Sequence, residues 1–164
     1  MFIEPFYVLA LGEETIEDTN HRIIYRPGTL EFLTKLSEHF DILLYSSRDL
    51  HHLKQIQRHL DPNNTLIKGV YDHSQCCKTE SGKLIKSLDY FFGLSRKDSI
   101  LLDYKPQNIR EEIPNSVLML YWDKLAPEDQ ELTSGIVDFL IEIGRAADVR
   151  IPIRQNINYY DYLL

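Results

Sequence analysis

Cysteine is nearly absent: the 164 residues hold only two, the neighbours Cys76 and Cys77. Adjacent thiols cannot staple distant segments, so a disulfide framework is excluded, and they do not form a four-ligand zinc pattern. Buried or reduced thiols are the expectation. Long apolar runs are missing too. None approaches the roughly 20 residues needed to cross a bilayer, and the longest, Val8 to Leu11 and Ile42 to Tyr45, are strand-sized. No transmembrane span is expected. No Lys or Arg precedes Arg22, so neither a secretory n-region nor an Arg-rich transit peptide is visible. Clusters of Lys and Arg are lacking as well. With 18 basic against 25 acidic side chains the formal charge is −7, which excludes a nucleic-acid binder, because backbone binding rests on neutralising phosphates. Basic protein segments are the better-matched partners. Gly and Pro number only 7 each, which leaves no room for collagenous or low-complexity readings.

What remains is an ordinary globular composition of single-domain length. Phe6 to Leu11 reads as a buried strand that breaks at Gly12. Arg26-Pro27-Gly28-Thr29 opens a helix with Leu30, Leu33 and Leu36 at helical spacing, ending near His39. Phe40 to Tyr45 is a second strand, and Ser46-Ser47-Arg48-Asp49 introduces a helix that runs to about Leu60 and stops at Asp61-Pro62. Further strands are expected at Thr65 to Tyr71, Ser99 to Leu102 and Val117 to Tyr121, and an amphipathic helix at Pro127 to Ile143. Strands alternating with helices imply an α/β domain, a mainly parallel sheet with helices on both faces. Residues 1–147 are assigned to this domain and 148–164 to a Tyr-rich C-terminal arm. Tyr159, Tyr160 and Tyr162 in the arm either pack back on the domain or contact a partner, since Tyr joins a large contact area to a polar tip.

In parallel sheets, ligands collect where the strands end at their carboxyl termini. The candidate positions are Gly12 to Thr15, Ser46 to Arg48 and Asp103 to Lys105, with Lys86 from the intervening segment. These residues, together with Arg26-Pro27-Gly28, Leu60-Asp61-Pro62, Ile85-Lys86-Ser87-Leu88, Ile100-Leu101-Leu102-Asp103 with Pro106, and Trp122, resemble the FCP/SCP-type (NLI-interacting-factor-like) phosphatase domain of the haloacid-dehalogenase-like superfamily. The resemblance runs from about Phe6 to Ile143 in the family's order. It implies a Rossmannoid fold and, in active members, attack on phosphoserine or phosphothreonine by the first Asp of Asp-x-Asp-x-Thr. The second Asp serves as acid and base and Mg²⁺ neutralises charge.

Setting Leu11-Gly12-Glu13-Glu14-Thr15 on that motif puts Leu11 at the nucleophile and Glu13 at the acid/base position. Leucine has no atom that can attack phosphorus. Ser46 matches the phosphate-binding Ser/Thr, Lys86 the active-site lysine and Asp103 the first metal-side acid, while Tyr104 replaces a second one. The resemblance thus implies a catalytic relic that needs no cofactor. Ser46 and Lys86 could keep an anion pocket, or Lys86 could pair with Asp103 or Glu13 as a structural ion pair. Within the family the chain is most similar to the degraded receptor branch of the mitochondrial presequence translocase. That resemblance implies a non-catalytic subunit working by protein contacts in mitochondria, with cationic presequence-like segments or subunits of a larger assembly as partners. A Mg²⁺-dependent protein phosphatase and a phosphopeptide-binding module are the alternatives, with nucleus or cytoplasm as the alternative location. His51, His52 and His59 share one helix without a carboxylate or Cys cluster, so ordinary surface histidines are expected.

Overall fold

Alternation along short strands divides the apolar residues into two layers. A computed structural model describes residues 1–5, 8–11, 23–123 and 128–156. In it β1 (Phe2–Ile3), β4 (Ile42–Tyr45), β5 (Ile67–Tyr71), β8 (Leu101–Asp103) and β9 (Ser116–Leu118) make a parallel sheet in the order β5-β4-β1-β8-β9. Ile3, Leu44 and Leu102 point to one face, where they meet α1 (Thr29–Ser37), α2 (Leu50–Leu60), α4 (Ile136–Gly144) and Ile153 of α5 (Arg150–Gln155). Phe2, Tyr45 and Leu101 point to the other, covered by Leu88 and by Ile109 of the short helix α3 (Pro106–Ile109). Phe91 fills that second face, with ring centroids 4.6 Å from Phe2 and 4.7 Å from Tyr71. The expected α/β architecture is present, with the bulk of the helical cover on one side.

The local signals act as chemistry dictates. Asp49 caps α2 by accepting the His52 N–H at 3.1 Å. Leu53, Ile56 and Leu60 then fall on one buried stripe. After α2, the Asp61 carboxylate accepts the N–H groups of Thr65, Leu66 and Ile67 at 2.7–2.8 Å and steers the chain into β5. Gly28 ends the Arg-Pro-Gly entry to α1 with φ +79°, and a Cβ there would lie 2.5 Å from Thr133 Cγ2. Gly28→Ala is expected to destabilise by about 2–3 kcal/mol, from strain plus overpacking. Gly82→Ala, at the same φ in open space, isolates the strain and should cost about 1 kcal/mol. Urea unfolding of both variants checks the difference.

The expectations fail where apolar length misled. The first sheet strand is Phe2–Ile3, not Phe6 to Leu11. Pro5 ends it, and its carbonyl accepts the N–H groups of Leu9 and Ala10 at 3.1 and 3.0 Å. Val8 and Leu9 are therefore buried in a turn. Ala10–Leu11 forms β2 of an antiparallel ribbon with β3 (Ile24–Tyr25), outside the parallel sheet. The segment read as Pro127 to Ile143 is helical only from Ile136 among its described residues. Between β5 and α3 lies a small hairpin, β6 (Cys77–Lys78) with β7 (Leu84–Ile85). Cys76 is half-buried there and Cys77 exposed. Beyond Ala147, α5 carries Val149 and Ile153 into the core. Tyr159, Tyr160 and Tyr162 lie outside the described residues, as does Glu13.

Candidate functional site

β1 is central, with β4 and β5 to one side and β8 and β9 to the other. The direction in which strands are added reverses beside β1, so its carboxyl end and those of β4 and β8 open the crevice where α/β sheets place ligands. Three residues reach it directly from strand ends: Glu4 after β1, Ser46 after β4, and Asp103 closing β8. Lys86 joins them from the end of β7, its backbone N–H held by the Asn108 carbonyl at 2.8 Å.

The four side chains form one buried network. Lys86 Nζ donates to Glu4 Oε2 and to Asp103 Oδ2, both at 2.7 Å, and Ser46 Oγ donates to Glu4 Oε1 at 2.9 Å. None of the four is more than 3% exposed, so the ammonium and both carboxylates are shut away from water. Asp103 Oδ1 also accepts the Lys105 N–H at 2.8 Å, and Asn108 Nδ2 lies 3.3 Å from Oδ2. Glu112, itself buried, accepts the Leu88 N–H at 2.8 Å and ion-pairs with Arg96, which pins the chain just after Lys86.

Burial pushes the Glu4 carboxyl up; attraction to Lys86 offsets this only in part, and Asp103 adds repulsion. Burial pulls Lys86 down, but Asp103 and Glu4 together outweigh it and the ammonium is held protonated. One cation thus serves two carboxylates, and Glu4 takes a proton more readily than free glutamate.

Ser46, Lys86 and Asp103 are brought together as the sequence reading anticipated, and the Lys86–Asp103 ion pair is formed. The carboxylate that completes them is Glu4, which that reading missed. The signal was available: Met1-Phe2-Ile3 is apolar, and Pro5 is a strand stop. The longer apolar run at Phe6 to Leu11 outweighs it in the sequence pattern. Leu11 sits on the β2–β3 ribbon instead of at a sheet strand's carboxyl end. Tyr104 turns to an aromatic neighbour, with its ring 5.5 Å from Tyr121 and Lys105 Nζ 5.1 Å above it.

Mg²⁺ demands near-octahedral oxygen coordination and is held through carboxylates and phosphates. The oxygens of Glu4 and Asp103 already accept from Lys86, Ser46 and the Lys105 N–H, and the cationic place between them is taken by Lys86 Nζ. The residues present do not fit the ion. Among the described residues, no group of three or more His, Cys, Asp and Glu is arranged to hold a metal.

A parallel sheet with Ser46, Lys86 and Asp103 converging on the central strand's carboxyl end is the α/β arrangement that the resemblance to a phosphatase-type domain implies. The chain belongs to the NLI interacting factor-like phosphatase family, whose model matches residues 6–150. The match begins just after Glu4, so that residue's place in the cluster comes from hydrogen-bond geometry. The chain is similar to the mitochondrial import inner membrane translocase subunit tim50 of Neurospora crassa, 31% identical over 134 residues, covering 80% of this chain and 24% of the relative. It is also similar to the CTD small phosphatase-like protein 2 of Dictyostelium discoideum, 27% identical over 138 residues, covering 84% and 24%. The chain therefore spans about a quarter of the length of these curated relatives. The RNA polymerase II CTD phosphatase Fcp1 has the same fold, with a TM-score of 0.53 at 20% identity over 83% of this chain and 37% of that one.

Proposed function

We propose that this chain is a pseudophosphatase, a non-catalytic family member that works by protein–protein contact in a mitochondrial assembly as a reduced relative of the import receptor. The buried Glu4–Lys86–Asp103 network with Ser46 carries this reading. Ser46 Oγ and Lys86 Nζ, the donors that would hold a phosphoryl group, are satisfied by Glu4's own carboxylate at 2.9 and 2.7 Å. A substrate would have to displace an ion pair sealed from solvent. Set on the family's Asp-x-Asp-x-Thr, the chain carries Leu11 at the nucleophile position, and leucine has no atom that can attack phosphorus. No divalent ion fits beside Asp103 to neutralise a developing phosphoryl charge.

The similarity to tim50 subunits of several fungi supports the mitochondrial placement and a translocase-type setting. Among the described residues, no helix is long and apolar enough to cross a membrane. Val149 and Ile153 pack in the core, so the segment read as an arm at 148–164 starts as part of the scaffold, and Tyr159, Tyr160 and Tyr162 are its proposed contact residues. An open cleft of about 770 Å³ offers one contact surface, walled by Leu120, Ile136 and Phe139 and rimmed by Asp129 and Glu131. Both rim carboxylates bond the single guanidinium of Arg26, so one net negative charge is left for a cationic segment.

The test is turnover of p-nitrophenyl phosphate and of phosphoserine peptides with Mg²⁺ present. No rate above buffer is expected, and Leu11→Asp should not create one, because position 11 lies on the ribbon. Turnover that vanishes in Asp103→Ala would establish a working phosphatase and overturn the proposal.

A further inference from the structure

Two of the helices on the main layer, α1 and α2, treat charge in opposite ways. On α1, Lys35 is paired with Glu31 one turn before it, Nζ to Oε1 2.8 Å. That is the ordinary i,i+4 arrangement, which stabilises a helix. On α2, Leu50–Leu60, there is no acidic residue at all, although acids outnumber bases in the chain 25 to 18. Leu53, Ile56 and Leu60 turn inward. The opposite side is a stripe of His51, Lys54, Gln55 and Arg58 at i, i+3, i+4 and i+7, with His59 exposed along its flank. Gln55 Nε2 and His51 Nε2 are 3.1 Å apart, which ties one turn of the stripe to the next. His52 stands off to the side, occupied by the Asp49 carboxylate at 2.6 Å.

Helix electrostatics accounts for only part of this pattern. Arg58 and His59 lie in the last turn, where cations complement the helix dipole. Lys54 gains nothing from the dipole so far from the C-terminus. It sits one turn from Arg58, and like charges at i,i+4 oppose helix formation by a few tenths of a kcal/mol. Among the described residues no acid pairs with Lys54 or Arg58, and a cationic stripe about 10 Å long of this kind suits an anionic partner. In the sequence Lys54 and Arg58 are dispersed among neutral residues, and only the helical period gathers them.

We infer that the outer face of α2 is a docking surface for an acidic protein segment, one whose carboxylates recur at about helical spacing so that they meet Lys54 and Arg58 together. A membrane surface suits the face poorly. Interfacial helices sink aromatic or aliphatic side chains into the headgroup boundary, whereas α2 keeps Leu53, Ile56 and Leu60 in the core. The surface names a partner class within the protein-contact reading and rests on that reading; its charge geometry is independent of the Glu4 network.

The probe is a labelled helical peptide with Glu at i, i+3, i+4 and i+7, titrated into the full chain beside its Gln-substituted counterpart. Binding of the Glu peptide is expected to weaken as salt rises from about 50 to 300 mM. It should fall about tenfold or more in Lys54→Glu/Arg58→Glu and stay unchanged in Lys35→Glu on α1. A peptide with Lys in place of Glu should recover affinity for the double variant. Equal binding of the Glu and Gln peptides, or no loss in the double variant, overturns the inference. So does tighter, double-variant-sensitive binding to vesicles of anionic phospholipid, which would make the face a membrane contact. Phosphatase turnover would sink the pseudophosphatase proposal while leaving these binding outcomes to be read on their own.

Discussion

Lys86→Ala is expected to destabilise the folded chain by about 3–5 kcal/mol, the usual cost of stranding a buried ionic partner. For a chain of this size that lowers Tm by roughly 10 °C. The magnitude follows from stoichiometry. Among the described residues Lys86 is the cation bonded to both Glu4 and Asp103, and no side chain of the three is more than 4% exposed. Truncating it leaves two buried carboxylates facing each other. Glu4→Gln removes one carboxylate and leaves a balanced Lys86–Asp103 pair, so it should cost about 1 kcal/mol or less. Equal losses from the two variants would show that the trio is not organised around a shared ammonium. Urea or thermal unfolding of both proteins makes the comparison, and Glu4→Gln serves if Lys86→Ala does not fold.

The pH dependence has a definite sign. Burial raises the Glu4 carboxyl above its unfolded value, near 4.3 for glutamate. A folded state with a raised acid binds protons more tightly than the unfolded chain, so Glu4's contribution is most favourable below that value and worsens as pH climbs through the folded one. Removing Lys86 takes away the attraction that holds Glu4 down, so the penalty of Lys86→Ala should shrink markedly from pH 7 toward pH 4. In the parent chain, the raised Lys86 contributes stability that is complete below about 10.4 and lost only as pH rises through the folded value. A penalty independent of pH between 4 and 7 would contradict the ionised cluster.

Much of this site could be read from residue types and order alone. Ser46, Lys86 and Asp103 each follow or close a short apolar strand, and period-2 alternation in Ile42-Leu43-Leu44-Tyr45 gives both the strand and its two faces. The register of the first strand could not be read that way. Periodicity weighs the length of an apolar run, but which run enters the sheet depends on pairing with Leu43 and Leu101, contacts that are distant in sequence. Val8, Leu9 and Ala10 are as buried as any strand residue, so burial did not discriminate either. Pro5 did, through the N–H it lacks. The start of α4 was misplaced for a related reason. Leu132 lies at helical spacing from Ile136 and is buried, yet it belongs to a turn held in place by Arg26, a side chain about a hundred positions earlier.

That arginine carries the second large effect expected. The Arg26 side chain is fully buried, with Nε and Nη2 each 2.7 Å from the two oxygens of Asp129. It also bonds Glu131 and, through Nη1, the Leu120 carbonyl at 3.0 Å. Glu131 in turn accepts the Leu120 N–H at 2.9 Å. One planar guanidinium therefore joins the entry to α1, the chain after β9 and the turn before α4. Arg26→Ala should cost about 2–4 kcal/mol, less than Lys86→Ala because Asp129 and Glu131 retain side-chain exposures of 15% and 9% and can rehydrate. Arg26→Lys should recover under half, since an ammonium cannot reproduce a bidentate bond and two further contacts.

Arg26 hydrogen bonding holds the Asp129 carboxyl below its usual value against the opposing effect of burial. That stability is present above about 3.9 and lost as pH falls through the folded value, so the difference between Arg26→Ala and the parent should narrow in acid. The local readout is amide hydrogen exchange. Residues 128–135 and Leu120 should lose protection in Arg26→Ala while β4 and β8 keep theirs, because the clamp spans the cleft wall and not the sheet. Unchanged protection there, or Arg26→Lys indistinguishable from the parent, would refute the clamp. If the cleft opens as expected, a partner seated on Leu120, Ile136 and Phe139 should be released by Arg26→Ala under conditions where the sheet stays folded. A partner on α2 should remain bound, so the two contact surfaces can be separated in a single variant.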